Sequence, residues 1–204
     1  MNIIKDVEQG SSEWLKLRLG KITASKMKDL LTNGRGGKPS KTAETYMYEL
    51  IAERLTGESK PFFENDAMRW GTDKEPEARA MYELHNNVTV EEVAFIELDE
   101  NIGMSPDGLV GDKGLLEIKC PATVTQLKRA LTDDYSSDYT AQIQMQLWVS
   151  GREWCDFVSY DPRLTGSASY LQIRRMRDDE FIKGMIEKTE LFIIEMNSII
   201  KQLT

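Results

Sequence analysis

The chain has 204 residues, 40% apolar and 29% charged, with a formal net charge of −8. This is the profile of a soluble globular protein long enough for one domain with a substantial core, and no apolar run nears the ~18 residues that a membrane span needs. One histidine, His85, and two cysteines without C-x-x-C spacing leave little material for a Ser-His-Asp mechanism or a zinc centre.

The opening M-N-I-I-K-D-V-E-Q-G is acidic and lacks the basic start and apolar stretch of a signal peptide, so a cytoplasmic location is expected. Residues 12–19, S-E-W-L-K-L-R-L, read as a short helix closed by Gly20. A second helix follows over 22–31, with Thr23 or Ser25 as its N-cap. T-N-G-R-G-G-K-P-S-K (32–41) is a Gly-rich basic loop, expected to be mobile. The spacing of Tyr46, Leu50, Ile51 and Leu55 predicts a helix over 42–56 that Gly57 ends. Another covers about 73–85, starting near Thr72 and carrying His85 as a polar surface residue near its end.

The period then shortens to that of a strand. V-T-V-E-E-V-A-F-I-E-L (88–98) is β-branched, with a bulge expected at Glu91–Glu92, and two further strands joined by a turn follow in 104–121. Residues 122–131 and 139–150 read as helices, and 154–160 and 169–176 as strands. Cys120 and Cys155 fall in strands, as buried free thiols. The last helix, 178–203, sets Phe181, Met185, Phe192, Met196, Ile199 and Leu203 along one side. Helices, then strands, then helices on a returning sheet make an α/β layered fold with a helical N-terminal portion, a single domain over 1–204.

Net acidity argues against nucleic acid as a partner only until its distribution is read. Between positions 16 and 41, Lys16, Arg18, Lys21, Lys26, Lys28, Arg35, Lys38 and Lys41 stand against one acid, Asp29; that segment carries +7 and the remainder −15. A ligand responds to the local field. A solvated basic face is the plainer reading of the same residues.

The chemistry concentrates in M-S-P-D-G-L-V-G-D-K-G-L-L-E-I-K-C-P (104–121). Glu117 and Lys119 interrupt an otherwise apolar strand, and a charge there is expensive unless paired or bound to a metal. Alternation places both on one face, with Leu116, Ile118 and Cys120 on the other. The turn G-L-V-G-D-K-G brings Asp107 alongside, so that two carboxylates converge with Lys119 beside them. Converging carboxylates repel unless a cation separates them, and their hard oxygens suit Mg²⁺ or Mn²⁺. Such an ion polarises a phosphoryl oxygen and activates a water, and a lysine holds that water or stabilises charge on the phosphate. A phosphodiester-hydrolysis site and an edge ion pair are both compatible with these residues. The bare triplet E-x-K decides nothing, since Glu58-Ser59-Lys60 repeats it in a polar loop.

Four ordered blocks carry a resemblance. L-R-L-G-K-I-T-A-S (17–25), R-W-G-T-D-K-E (69–75), M-S-P-D-G-L…L-L-E-I-K-C-P (104–121) and Y-T-A-Q-I-Q (139–144), with Y-D-P-R (160–163) as a lesser match, resemble the PD-(D/E)xK nuclease superfamily. Within it they most resemble the phage lambda exonuclease family of viral recombination (alkaline) exonucleases, from about Glu8 to Arg163. The resemblance implies a restriction-endonuclease-like core with a central mixed β-sheet flanked by helices. It implies a Mg²⁺-dependent 5′→3′ exonuclease (Mn²⁺ substituting) that digests one strand of linear double-stranded DNA to mononucleotides and leaves 3′ single-stranded tails for phage-type recombination. It further implies a ring-shaped homotrimer, a single-strand annealing protein as partner, and a phage or prophage protein in a bacterial cytoplasm.

Carried over by position, Asp107, Glu117 and the Ile118 carbonyl match metal ligands, Lys119 the catalytic lysine, and Glu75 a helix carboxylate that joins the metal. Gln142 matches a glutamine near the scissile phosphate, and Arg18, Ser25 and Ser105 match residues that bind the terminal 5′-phosphate. Each has a plainer alternative. Thr72-Asp-Lys-Glu75 is also a capping box, Gln142 passes as a polar helix residue, and Ser25 with Arg18 passes as an N-cap beside a surface arginine. The last pair nonetheless suits an anion, because a helix start and a guanidinium fork both favour one. Loop 32–41 departs from the family's pattern in detail. An endonuclease of the same superfamily, which would cut circles, and a catalytically silent DNA-end-binding module remain as alternatives.

Overall fold

A computed structural model describes residues 1–34, 36, 39–59, 65–132 and 134–204. Arg35, Gly37 and Lys38 of the basic loop and Lys60 of the second E-x-K triplet lie outside the described residues.

The chain opens with a strand that the pattern did not announce, β1 (Asn2–Ile4). Helix α1 (Ser12–Arg18) follows, its first turn capped by the Ser11 hydroxyl, which accepts from Trp14 N at 3.2 Å. Gly20 then turns the chain with φ +66°, and a Cβ there would lie 2.6 Å from Arg54 Cγ. Its backbone is held from both sides, donating to Glu53 Oε2 and accepting from Arg54 Nε, each at 2.8 Å.

The expected helix over 22–31 is three pieces: strand β2 (Ile22–Thr23), a 3₁₀ turn (Ala24–Lys26) and the short helix α2 (Met27–Leu31). Neither Thr23 nor Ser25 caps it with a side-chain hydrogen bond. Ile22 and Thr23 are buried against Ile102 and Gly103, and this strand pairing overrides their place in a helical pattern. Helix α3 (Lys41–Thr56) is bounded as its signals require, by the Ser40 hydroxyl and by Gly57 at φ +72°.

Helix α4 (Asp66–Asn86) begins two turns before Thr72, at an Asn65 cap. The capping-box expectation at Thr72–Glu75 therefore fails: the Thr72 hydroxyl donates back to the Met68 carbonyl at 3.2 Å, and Glu75 pairs with Arg79. Pro76, harmless in a first turn, lies inside α4, which continues through it at the loss of one backbone bond. His85 is exposed, as expected, and stands edge-on to Tyr170.

Residues 88–98 are not one bulged strand. They form β3 (Val90–Glu91) and β4 (Phe95–Glu97), which belong to different sheets; Glu92–Ala94 is the crossing. Strands β5 (Ile102–Met104), β6 (Gly108–Val110) and β7 (Gly114–Lys119) follow, then α5 (Thr123–Ala130), α6 (Thr140–Ser150), β8 (Trp154–Tyr160), β9 (Tyr170–Met176) and α7 (Asp179–Leu203). One mixed sheet has the order β1-β4-β5-β2 and the other β3-β6-β7-β8-β9, with β7 parallel to β8 at its centre.

Alternation along β7 and β8 separates two cores. Leu115, Cys155 and Phe157 face α2, α3, α6 and α7, whereas Leu116, Ile118, Cys120, Val158 and Tyr160 face Ala78 and Tyr82 of α4. Helices thus cover both faces of the five-stranded sheet, the α/β layering and restriction-endonuclease-like core expected from the sequence. Both cysteines are buried free thiols. On α7 the buried line is Ile182, Met185, Thr189, Phe192 and Met196, while Phe181 and Leu203 are exposed.

Candidate active site

The pairing of β6 with β7 stops at Gly108↔Leu116, whereas β8 continues to pair with β7 through Lys119. The last residues of β7 therefore have an open edge on the β6 side. Asp107, one residue before β6, fills part of it: its Oδ2 accepts from the Ile118 backbone N–H at 2.6 Å. In extended backbone the C=O of a residue points to the same side as its N–H, so the Ile118 carbonyl also faces this open edge. Gln9 supports the approach, donating to the Pro106 carbonyl at 3.0 Å and to the Val93 carbonyl at 2.9 Å.

Glu117 and Lys119 share the opposite face from Ile118, as alternation predicts, and they are paired. Glu117 is 1% exposed and the Lys119 side chain 30%, so of the two the lysine is open to a ligand. Helix α6 packs over this face. Its Gln142 donates to Glu117 Oε1 at 2.6 Å and its Gln146 to Oε2 at 2.7 Å. Glu75 comes from α4, where Arg79 holds it at 2.6 Å; the same Arg79 reaches the Asp107 carbonyl at 3.3 Å and Glu92 at 2.8 Å.

These groups perturb one another. Burial, and after it the Glu117 charge, push the Asp107 carboxyl well above the usual carboxylate range, with Lys119 opposing. Burial also raises Glu75, against the pull of Arg79 and Lys119. Burial alone would lower Lys119, but Glu117 and Asp107 outweigh it and keep its ammonium above the usual lysine range. Repelling carboxylates with hard oxygens are the donor chemistry that a Mg²⁺- or Mn²⁺-like ion fits. Among the described residues no three acid, histidine or cysteine side chains are gathered as a ready-made metal cluster. Lys119 and Gln142 donate to Glu117 Oε1, and Arg79 donates to Glu75 Oε1.

A second cluster lies where β2 and β5 end side by side. Arg18 Nη1 donates to the Ser105 hydroxyl at 3.3 Å, and Trp14 Nε1 donates to it at 2.8 Å. The Arg18 guanidinium carbon lies over the Trp14 ring, 4.3 Å from its centre, a cation–π contact. Burial lowers the Arg18 pKa from its ordinary value, offset in part by Tyr46 and Glu53. Ser25, in the 3₁₀ turn just after β2, is exposed; Thr23↔Gly103 pairing puts it and Ser105 each two residues past paired strand positions.

The sequence model of the YqaJ-like viral recombinase domain matches residues 13–153, more than half of the chain. The chain belongs to the YqaJ-like viral recombinase family. An alkaline exonuclease from Laribacter hongkongensis, also solved in complex with dAMP, is 41% identical over 95% of this chain and 96% of its own, with a TM-score of 0.87. A phage-related exonuclease from Haemophilus somnus shares the fold, with a TM-score of 0.73 at 17% identity over 90% of this chain and 96% of its own. An uncharacterised protein of Acanthamoeba polyphaga mimivirus is 28% identical over 78% of this chain, which spans only 30% of that protein's length. The resemblance to the lambda exonuclease family is thereby shown, and this chain is a nuclease of the YqaJ-like family.

Of the residues singled out in the sequence, Asp107, Ile118, Glu117, Lys119 and Gln142 come together, and Arg18 meets Ser105. Glu75 feels the charges of Lys119 and Glu117 and itself acts on Asp107, while its direct bond is to Arg79. Sequence reading missed Trp14, Arg79, Gln9 and Gln146. Only Gln146 left a usable signal, its i,i+4 spacing from Gln142, which puts both amides on one face of α6.

Proposed function

We propose that this nuclease is a Mg²⁺-dependent exonuclease (Mn²⁺ substituting) that digests one strand of linear duplex DNA from a 5′-phosphate in the 5′→3′ direction, as one domain. The observation that carries the reading is the end of β7 beyond its pairing with β6, where Asp107, the Ile118 carbonyl, Glu117 and Lys119 are gathered. Asp107, Glu117, the Ile118 carbonyl and Glu75 would hold the ion, which supplies Lewis-acid stabilisation of phosphoryl charge and a more acidic water.

The side chains then have distinct tasks. Lys119 orients the attacking water and balances charge building on the phosphate, and Gln142 contacts the scissile phosphate. Water adds in line to phosphorus, the P–O3′ bond breaks, and a mononucleotide with a free 3′-hydroxyl leaves. The strand that remains begins with a new 5′-phosphate. Arg18, Ser105 and Ser25 bind that group, so each cycle regenerates the ligand for the next. The dAMP complex of the similar Laribacter protein is consistent with a mononucleotide product. A ring-shaped trimer and a single-strand annealing partner are proposed from the resemblance, as is a place in a bacterial cytoplasm. No helix of the described residues is long and apolar enough to cross a membrane.

The test is a Mg²⁺-started time course on linear duplex with 5′-phosphate at one end and 5′-hydroxyl at the other, each strand labelled, with a closed circle as control. Loss of the phosphate-started strand as mononucleotides, with the circle intact, is expected. Cutting of the circle would make the protein an endonuclease; binding without turnover would reduce the cluster to an ion pair.

A further inference from the structure

A buried carboxylate is kept in place by the donors around it. Among the described residues three reach Glu117. Lys119 and Gln142 both donate to Oε1, whereas Oε2 receives Gln146 alone. Lys119 and Gln142 are half-buried and are the donors that the proposed reaction needs at water and phosphate. They cannot serve the substrate and hold Glu117 with the same N–H groups. Gln146 can remain: it is 0% exposed, one helical turn beyond Gln142 on α6.

The other end of Gln146 points the same way. Its Oε1 is buried without a partner among the described residues, and an unpaired buried acceptor is destabilising. An amide kept only for packing would gain by becoming hydrocarbon. Exchanging its two ends would set acceptor against acceptor at Glu117 Oε2, so the donor end is fixed on the carboxylate.

We propose that Gln146 is a positioning residue, which keeps Glu117 aimed at the ion while Lys119 and Gln142 turn to the DNA. This rests on the nuclease site described above. Gln146→Met removes the donor at nearly constant length, with Gln146→Leu as a second variant. Gln144→Met is the control, since Gln144 bonds the Met176 carbonyl and the Asp178 N–H instead.

The metal-free Tm of Gln146→Met should fall by a few degrees, because Glu117 Oε2 loses the one donor that reaches it among the described residues. Calorimetric Mn²⁺ affinity without DNA should fall about 10-fold or more, and the single-turnover rate at saturating DNA about 10- to 100-fold, the range for partners that orient metal ligands. Affinity for DNA ends without metal should not change, and excess Mn²⁺ should restore part of the rate. Gln144→Met should lose Tm and keep its Mn²⁺ affinity. Unchanged Mn²⁺ affinity and rate in a folded Gln146 variant would overturn the proposal. So would failure of both variants to fold, which would make the residue a core member. An unsubstituted protein that bound no Mn²⁺ and cut no DNA would instead remove the site reading, and this inference with it.

Discussion

Single residues separate charge that is stored from charge that is available. Glu117 is sealed under α6, but among the described residues the Arg18 guanidinium forms no ion pair; it lies over the Trp14 ring and is bonded to Ser105. A planar fork lying against an indole, with no ion pair among the described residues, is suited to a terminal phosphate. Arg18→Ala should therefore erase the preference for 5′-phosphate over 5′-hydroxyl ends, with little change in Tm because one partner is a hydroxyl and not a buried acid. Competition between the two ends, followed by single-turnover rates on 5′-hydroxyl DNA, checks this. A variant that still prefers phosphate would move the phosphate site away from Ser105. Arg18 and Ser105 were legible in the sequence only through resemblance, and Trp14 was not legible at all. The contact joins residues 91 apart in the chain, and no local pattern encodes it.

At the scale of elements, the site exists because β6 stops pairing three residues before β7 ends. The strand pattern disclosed β7 and its two faces, since alternation is local and Leu116, Ile118 and Cys120 obey it. It could not disclose that 88–98 divides between two sheets or that β2 interrupts a helix, because both depend on partners far along the chain. The early start of α4 was hidden by Gly71, a breaker in the middle of its first turns that tertiary packing of Ala78 and Tyr82 further along the helix overrides. An open edge lined with repelling carboxylates carries a stability penalty. The raised Asp107 carboxyl means that its charged form is disfavoured on folding at any pH above the ordinary aspartate value. Asp107→Asn keeps an acceptor for the Ile118 N–H and removes the charge. Its metal-free Tm at pH 8 should rise by about 2–4 °C, the shift for ~1 kcal/mol in a chain of this size. The gain should shrink as pH falls and vanish well below pH 4, where both states of the unsubstituted protein are protonated. Added Mg²⁺ should raise the Tm of the unsubstituted protein alone, while the variant should not turn over DNA. Equal Tm values in metal-free buffer at pH 8 would mean that the edge stores no such penalty.

The whole molecule is held by two cores on either side of one sheet, and buried acids secure the strand they share. Asp156 within β8 and Asp161 just after it are both 0% exposed, clamped by Arg174 and Arg163. Asp161 also accepts from the Thr123 hydroxyl at 2.7 Å, tying the start of α5 to the end of β8, the sheet end at which Lys119 emerges. Burial alone would raise the Asp161 carboxyl, but the hydrogen bonds from Arg163 and Thr123 outweigh it and hold its pKa below the ordinary value. The unfolded chain therefore takes up this proton first as pH falls. The stabilisation is fully present above about pH 4, the ordinary aspartate range, and is lost below it as pH approaches the depressed folded value. Asp161→Ala should lower stability at pH 7 by about 2 kcal/mol, less than the ~3–5 kcal/mol of a fully buried pair because Arg163 is half-exposed. Urea unfolding at intervals from pH 7 to pH 2 should show the two proteins converging below pH 4, with the unsubstituted protein losing stability more steeply. Curves that stay parallel over that range would mean that Asp161 contributes through packing and neutral hydrogen bonds, and that its charge has no part in closing this end of the sheet.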